Sequence, residues 1–231
     1  LEGHLYSFLL PSKTKTLSHV AFSMSQTFLA IALLVSGGHT ILLKMDSLVK
    51  WKKLGETRDD AAGEAFDKVA RMLNLPYPGG PEIEKLAGKG NSEAINFPRP
   101  MIYDKSYDFS FSGLKTAVLY YFRDKQQETR SKKRADVAAS FQMAAIDVLV
   151  AKTMRAAKEF GAKSVILCGG VAANKALREV LGVRCQASGI RFFVPDFKYN
   201  LDNAAMIAAA GYMAHLRGKR YRLHAKGDLG I

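Results

Sequence analysis

Cysteine is scarce in this sequence. The 231 residues include two, Cys168 and Cys185, which is too few for a disulfide framework and makes a reducing cytosol the default compartment. Long apolar runs are missing too. The most apolar early stretch, Phe28 to Val35, is too short to span a bilayer and is misplaced for a signal peptide, so no membrane association is expected. No H-E-x-x-H occurs, which leaves a metalloprotease without support, and neither a Ser-His-Asp nor a Cys-His arrangement is visible. There is no short internal repeat. Acidic residues are in deficit, with 21 Asp+Glu against 34 Lys+Arg and a net charge of +13. The chain opens on Leu1 rather than Met, so a processed chain or a fragment is expected.

The 48% of hydrophobic residues in this length suffices for one sizeable domain, or one and a half. The basic excess favours a polyanionic partner, nucleic acid first. Cations concentrate in "KQQETRSKKR" (Lys125 to Arg134) and "RGKRYRLHAK" (Arg217 to Lys226), the second with Tyr212 and Tyr221 close by. Aromatics among cations suit backbone and base contacts, though either run equally suits a solvated face.

Strand-like and helix-like segments alternate. Phe28 to Val35, His39 to Met45 and Val49 to Leu54 form the first strands, Ser164 to Cys168 is a buried parallel-type strand, and Arg191 to Val194 is another. A helix is expected over Asp59 to Leu73, N-capped by Asp59 or Asp60, with Ala62, Ala65, Phe66, Val69 and Leu73 on one face. Further helices are expected at Ile83 to Leu86, Gly113 to Phe122, Ala135 to Phe160, Ala172 to Leu181 and Asp202 to Leu216. Pro76 to Pro81 reads as an irregular turn, Pro11 to Gln26 as a linker and Asn91 to Phe109 as a loop. The order is that of an α/β fold.

Two glycine pairs interrupt strand ends. "VILCGGVAANKALR" (Val165 to Arg178) runs from a buried strand through Gly169-Gly170 into a helix, a place where free amides bind phosphate and where Asn174 can meet a ribose or base. In "LLVSGGHTIL" (Leu33 to Leu42), Ser36-Gly37-Gly38 reads by itself as a hairpin turn. Asp60, Glu64 and Asp67 share one helix face, which implies water, a cation or ligand hydroxyls between them. Gly79-Gly80 follow that helix.

"LEGH", "LLVSGGHT", "GETRDDAAGEAFDKVARMLNLPYPGGP", "FPRP", "FSFSGLKTAV", "CGGVAANKALR" and "DNAAMIAAAGY", in this order, resemble the TsaD family, the catalytic subunits of bacterial tRNA threonylcarbamoyladenosine synthesis. The resemblance covers nearly the whole chain from Ile31 onward. It implies an actin-like ATPase fold of RNase H-like lobes, represented here mainly by the C-terminal lobe. Residues 1–27 would be a remnant of the N-terminal lobe and a linker. Residues 28–231 would be the C-terminal lobe with a helical insertion, its last helix returning towards the N-terminal lobe.

The resemblance further implies transfer of a threonylcarbamoyl group from threonylcarbamoyl-AMP to the N6 amine of the adenine beside the tRNA anticodon. Leu34, Val35, Ser36, Gly37, Gly38, Asp67, Gly80, Glu84 and Asn174 would line the adenylate site, with Glu84 standing where the family commonly has Asp. His4 and Asp202 would hold one divalent metal, iron or zinc, together with a first histidine that would precede Leu1. The implied partners are tRNA, a paralogous TsaB-like subunit and a small TsaE-like ATPase, in the cytoplasm. The alternatives are a truncated, non-catalytic nucleotide- or tRNA-binding fragment, and another actin-like ATPase or kinase that takes ATP.

Overall fold

Two apolar runs, Ala30–Val35 (β1) and Thr40–Met45 (β2), form an antiparallel hairpin that closes with Val35 opposite Thr40. The computed structural model describes residues 1–10, 28–124 and 131–219. Trp51–Glu56 (β3) continues the antiparallel run beside β2, with a register shift at Leu42/Leu43. Ser164–Cys168 (β4) pairs parallel with β1, and Arg191–Phe193 (β5) pairs parallel with β4, giving the order β3-β2-β1-β4-β5. Every residue of β1 and β4 is buried. This is why both read as continuous apolar runs rather than alternating ones: each is covered on two faces.

Alternation sends successive side chains to two separate cores. Ile31, Leu33, Val35, Val165 and Leu167 enter the larger one. It is shared with the helices Ala62–Met72 (α2), Gly79–Ala87 (α3), Ser112–Asp124 (α4), Ser131–Glu159 (α5) and Lys175–Ala187 (α6). Phe66 of α2 meets Phe141 of α5 edge to face, with centroids 5.0 Å apart. Ala30, Ala32, Leu34, Ile166 and Cys168 face the smaller core with Leu5, Tyr6 and Met213. These last three come from Glu2–Tyr6 (α1) and Ala204–Leu216 (α7), which pack together. Arg217, just past α7, also pairs with Glu2 at 2.6 Å. Burial raises the Cys168 thiol to about 12.

Helix α5 is long and apolar enough to cross a bilayer, yet most of its apolar stretch is buried inside the protein. Even its Lys152 is enclosed, donating to the Ser106 carbonyl at 3.0 Å. Residues 91–109 form the expected loop. Its end meets the last residue of β3 and the residues just past it, where Phe109 donates its N–H to Glu56 O at 3.0 Å and accepts from Arg58 N–H at 2.9 Å.

Among the helix starts that differ from the sequence expectation are those of α2, α3 and α6, while α5 begins at Ser131 rather than Ala135 and α7 at Ala204 rather than Asp202. The N-cap of α2 is Ala61, not Asp59 or Asp60. The Glu64 carboxylate reaches back to the Ala61 N–H at 3.4 Å and Thr40 Oγ1 accepts the Ala62 N–H at 2.9 Å, so the first amides are satisfied without an aspartate. Helix α3 begins at Gly79 rather than Ile83, because the Asp67 carboxylate accepts the Gly79 N–H at 2.8 Å. Past β4 comes a single 3-10 turn, Gly170–Ala173, and α6 begins only after it. The expected linker Pro11 to Gln26 lies outside the described residues. So do Lys125 to Arg130 of the first basic run and Arg220 to Lys226 of the second, Tyr221 included.

Candidate functional site

β1 and β4 run parallel and side by side, so the turns that leave their carboxyl ends emerge together. That edge of an α/β sheet is where ligands bind. The turn after β1 is closed by paired bonds: Ser36 N–H donates to His39 O at 2.8 Å, and His39 N–H donates to Ser36 Oγ at 3.1 Å. The turn after β4 begins at Gly169, whose φ of 94° lies in the left-handed region. A Cβ there would also overlap the Val35 carbonyl.

Gly37 and Gly170 line one cavity of about 390 Å³, with Gly80, Asp67, Glu84 and Asn174. That volume is in the range of small-molecule sites. The glycines around it divide into two kinds. Gly63 and Gly79 are packing glycines, since a Cβ would come within 2.6 Å of Ser36 O at the first and 2.5 Å of Ala70 Cβ at the second. At Gly37, Gly80 and Gly170 a Cβ would meet nothing within 4 Å, and none of the three has a left-handed φ. Neither packing nor backbone demands glycine there. What the missing side chains leave open is the cavity itself.

Of the three carboxylates expected on one helix face, Asp67 alone reaches the cavity, and Asp60 lies before the N-cap of α2. Asp60 is spent on Lys68 at 2.7 Å and Lys115 at 2.6 Å, and Glu64 on Lys68 at 2.8 Å. A ligand gathered by all three, as the shared helix face suggested, is therefore corrected to one carboxylate at the cavity and two in ion pairs. Burial acts to raise the Asp60 carboxyl, but the two lysines outweigh it and hold it below the usual carboxylate range.

Asn174 caps α6 rather than standing one turn inside it. Its Oδ1 accepts the Leu177 N–H at 2.9 Å and its Nδ2 donates to Gln142 Oε1 at 2.8 Å, so the side chain is fixed in one orientation. Glu84 Oε1 accepts the Lys175 N–H at 2.6 Å. Leu34 and Val35 are wholly buried in the sheet, so their side chains point into the two cores and only their backbone leads to the turn.

His4 and Asp202, nearly the length of the chain apart, meet with Nε2 and Oδ1 3.2 Å apart. Burial lowers the His4 pKa and outweighs the neighbouring Asp202, which acts to raise it. Its Nδ1 is buried without a hydrogen-bond partner. Zinc bonds of about 2.0–2.1 Å in a tetrahedron place adjacent donors roughly 3.4 Å apart, so the pair fits as two members of an N/O donor set for such an ion. Among the described residues no third His, Cys, Asp or Glu joins them.

Sequence reasoning missed Tyr77, Phe197, Asn200 and Leu201, which also line the cavity. Tyr77 and Leu201 are 84% and 72% exposed. A larger, open groove of about 850 Å³ between the 96–103 loop, α5 and α6 shares no lining residue with the glycine cavity and holds none of its turns.

Residues 13–209 match the family described as "TsaD: tRNA N6-adenosine threonylcarbamoyltransferase". Three curated relatives carry the name tRNA N6-adenosine threonylcarbamoyltransferase. The protein of Moorella thermoacetica is 54% identical over 188 residues, covering 81% of this chain and 55% of that protein. The Clostridium botulinum protein is 50% identical over 193 residues, covering 84% and 57%. The Caldicellulosiruptor saccharolyticus protein is 47% identical over 220 residues, covering 95% and 61%. The chain thus spans a little over half the length of the curated relatives it matches. Among solved structures, HypF of T. kodakarensis superposes with a TM-score of 0.57 over 82% of this chain and 34% of that one, at 16% identity, a likeness of fold alone. The fold is of the actin-like ATPase type, and the chain belongs to the TsaD family.

Proposed function

We propose that this chain carries the adenylate-binding part of a tRNA N6-adenosine threonylcarbamoyltransferase. The observation behind this reading is the set of three glycines, Gly37, Gly80 and Gly170, that the fold does not require and that converge on one cavity beside Asp67, Glu84 and Asn174. In the proposed reaction, the N6 amine of the adenine beside the anticodon attacks the carbamoyl carbon of threonylcarbamoyl-AMP. The bond from that carbon to the phosphate oxygen breaks, AMP leaves, and the amine proton passes to solvent. The carbonyl is already activated by its leaving group, so the protein's task is to position it and to meet developing negative charge. The Ser36–His39 turn and the Gly170–Ala173 turn present backbone to the phosphate, and Asp67, Glu84 and the fixed Asn174 border the nucleoside.

His4 and Asp202 are two of the residues that would hold a divalent metal, iron or zinc, which supplies Lewis-acid polarisation when bound. The partners in this reading are tRNA, a TsaB-like paralogous subunit and a TsaE-like ATPase. In the same reading, residues 1–27 are a remnant of the N-terminal lobe and a linker, and residues 28–231 are the C-terminal lobe with a helical insertion, its last helix returning towards the N-terminal lobe. The test is transfer of labelled threonylcarbamoyl to tRNA by the full-length protein with its partner subunits. Labelled tRNA supports the proposal; none formed under conditions where a characterised relative is active refutes it.

A further inference from the structure

Phe197, Asn200 and Leu201 form a wall of the cavity that none of the sequence motifs contains. Phe197 begins a 3-10 turn, Phe197–Tyr199, and its ring lies over the Arg178 guanidinium with Cζ 3.9 Å from the centroid. Phe197 is nevertheless 52% exposed. A cation this close occupies one face, so the exposure belongs to the other face and the edges. Arg178 is itself fastened twice: its Nε donates to the Ala172 carbonyl, and its Nη2 donates to the Pro195 carbonyl at 3.0 Å. One guanidinium therefore joins the glycine turn Gly170–Ala173 to the segment that carries Phe197, and sets the ring's angle to the cavity.

Asn200 adds a second, independent sign. It is wholly buried and its Nδ2 donates to Phe197 O at 3.3 Å, but its Oδ1 is enclosed with no hydrogen-bond partner. Buried acceptors rarely stay unpaired, because desolvation without a replacement bond is costly. A wall with an exposed aromatic face and an unmet acceptor beside it matches a flat heteroaromatic ring that carries an amino group.

We propose, resting on the adenylate reading above, that Phe197 is the platform on which an adenine ring stacks. Arg178 is the positioning residue that holds it, and the Asn200 carboxamide, once its side chain turns from the enclosed position towards the cavity, is the acceptor for the exocyclic amine. Aromatic–base stacking predicts that Phe197→Ala weakens binding about tenfold, while Phe197→Trp retains it. Arg178→Gln raises KM for the adenylate with kcat little changed, and Arg178→Lys, which cannot reach both carbonyls, recovers part of the loss. Asn200→Leu fills the same space without an acceptor and erases a preference for AMP over IMP.

The experiment is calorimetric titration of the full-length protein and these variants with AMP, with IMP and with an anticodon stem-loop RNA. A loss in Phe197→Ala confined to AMP assigns the platform to the adenylate, and one confined to the RNA assigns it to the tRNA adenine; both uphold the proposal. Unchanged affinity for both ligands overturns it. A wild-type protein that binds neither AMP nor the RNA removes the underlying adenylate reading instead, so the two failures are distinguishable.

Discussion

Glu84 Oε1 accepts the backbone N–H of Lys175 at 2.6 Å, a bond that spans 91 positions of sequence. Lys175 is the first residue of α6, where the amides are free and the helix dipole favours an anion. The bond ties α3 to the start of α6 beside the cavity that both border. Glu84→Gln should keep the hydrogen bond and lose the charge, costing about 0.3–1 kcal/mol in urea unfolding, and Glu84→Ala should cost about 1–2 kcal/mol. Equal stabilities for the two variants would show that the contact adds nothing.

The glycine pair after β4 separates packing from ligand access. Gly169→Ala places a Cβ against the Val35 carbonyl at a left-handed φ, and a loss of about 2 kcal/mol or more is expected. Gly170→Ala meets open space, so its Tm should stay near wild type while AMP affinity falls. Thermal melts paired with AMP titration check both, and an unaltered AMP affinity in Gly170→Ala would count against the cavity as the nucleotide site.

Asp59 holds the start of α4 from a distance. Its Oδ1 accepts the Phe111 and Ser112 amides at 2.8 and 3.2 Å, and its Oδ2 accepts the Ser110 and Ser112 hydroxyls at 2.5 and 2.7 Å. Burial acts to raise this carboxyl, but the four donors prevail and hold it below the usual carboxylate range. A depressed carboxylate adds stability that is complete above the unfolded value near 3.9 and is lost as pH falls through the folded one. Asp59→Asn should therefore be less stable than wild type by about 1–2 kcal/mol at pH 7, with the gap closing as pH falls below about 4. Chemical denaturation at several pH values measures it, and a gap independent of pH would contradict the argument.

Asn174 and Gln142 should behave as one unit. Asn174→Ala removes the cap of α6 and strands the Gln142 carbonyl, for a cost of about 2 kcal/mol. In Gln142→Leu the Asn174 amide loses the partner that fixes its orientation. A double-mutant cycle should give a coupling of about 0.5 kcal/mol or more, and strict additivity would show that the pair does not act together.

The strands were legible because β1 and β4 are covered on both faces, and a continuous apolar run is what such burial leaves in a sequence. From residue spacing Asp67 was legible only as one of three carboxylates on a helix face, and it was the family resemblance that singled it out. Which of the three reaches the cavity depends on Lys115, a residue 55 positions beyond Asp60 that neutralises it. The function of Asp59 was misread for a similar reason. An aspartate just before a helix caps that helix by default, and nothing local shows that α4 lies within its reach. Phe197 and Arg178 left no local signal, since an aromatic in a turn acquires meaning only when a guanidinium from another element lies beneath it.

The loop end at Phe109 has a consequence for the free chain in solution. Sheet edges recruit other chains through their unpaired amides and carbonyls. Here Asp108 and Phe109 take up only the last residue of β3, Glu56, and a Cβ at Gly55 would strike the Tyr107 carbonyl, so the two backbones are in contact at that end. At the opposite edge, β5 is three residues long, too short to template much of a neighbour. Cutting the loop near Phe109 would uncover the Glu56 end of the β3 edge, and the change would register first as aggregation, before any loss of the cavity.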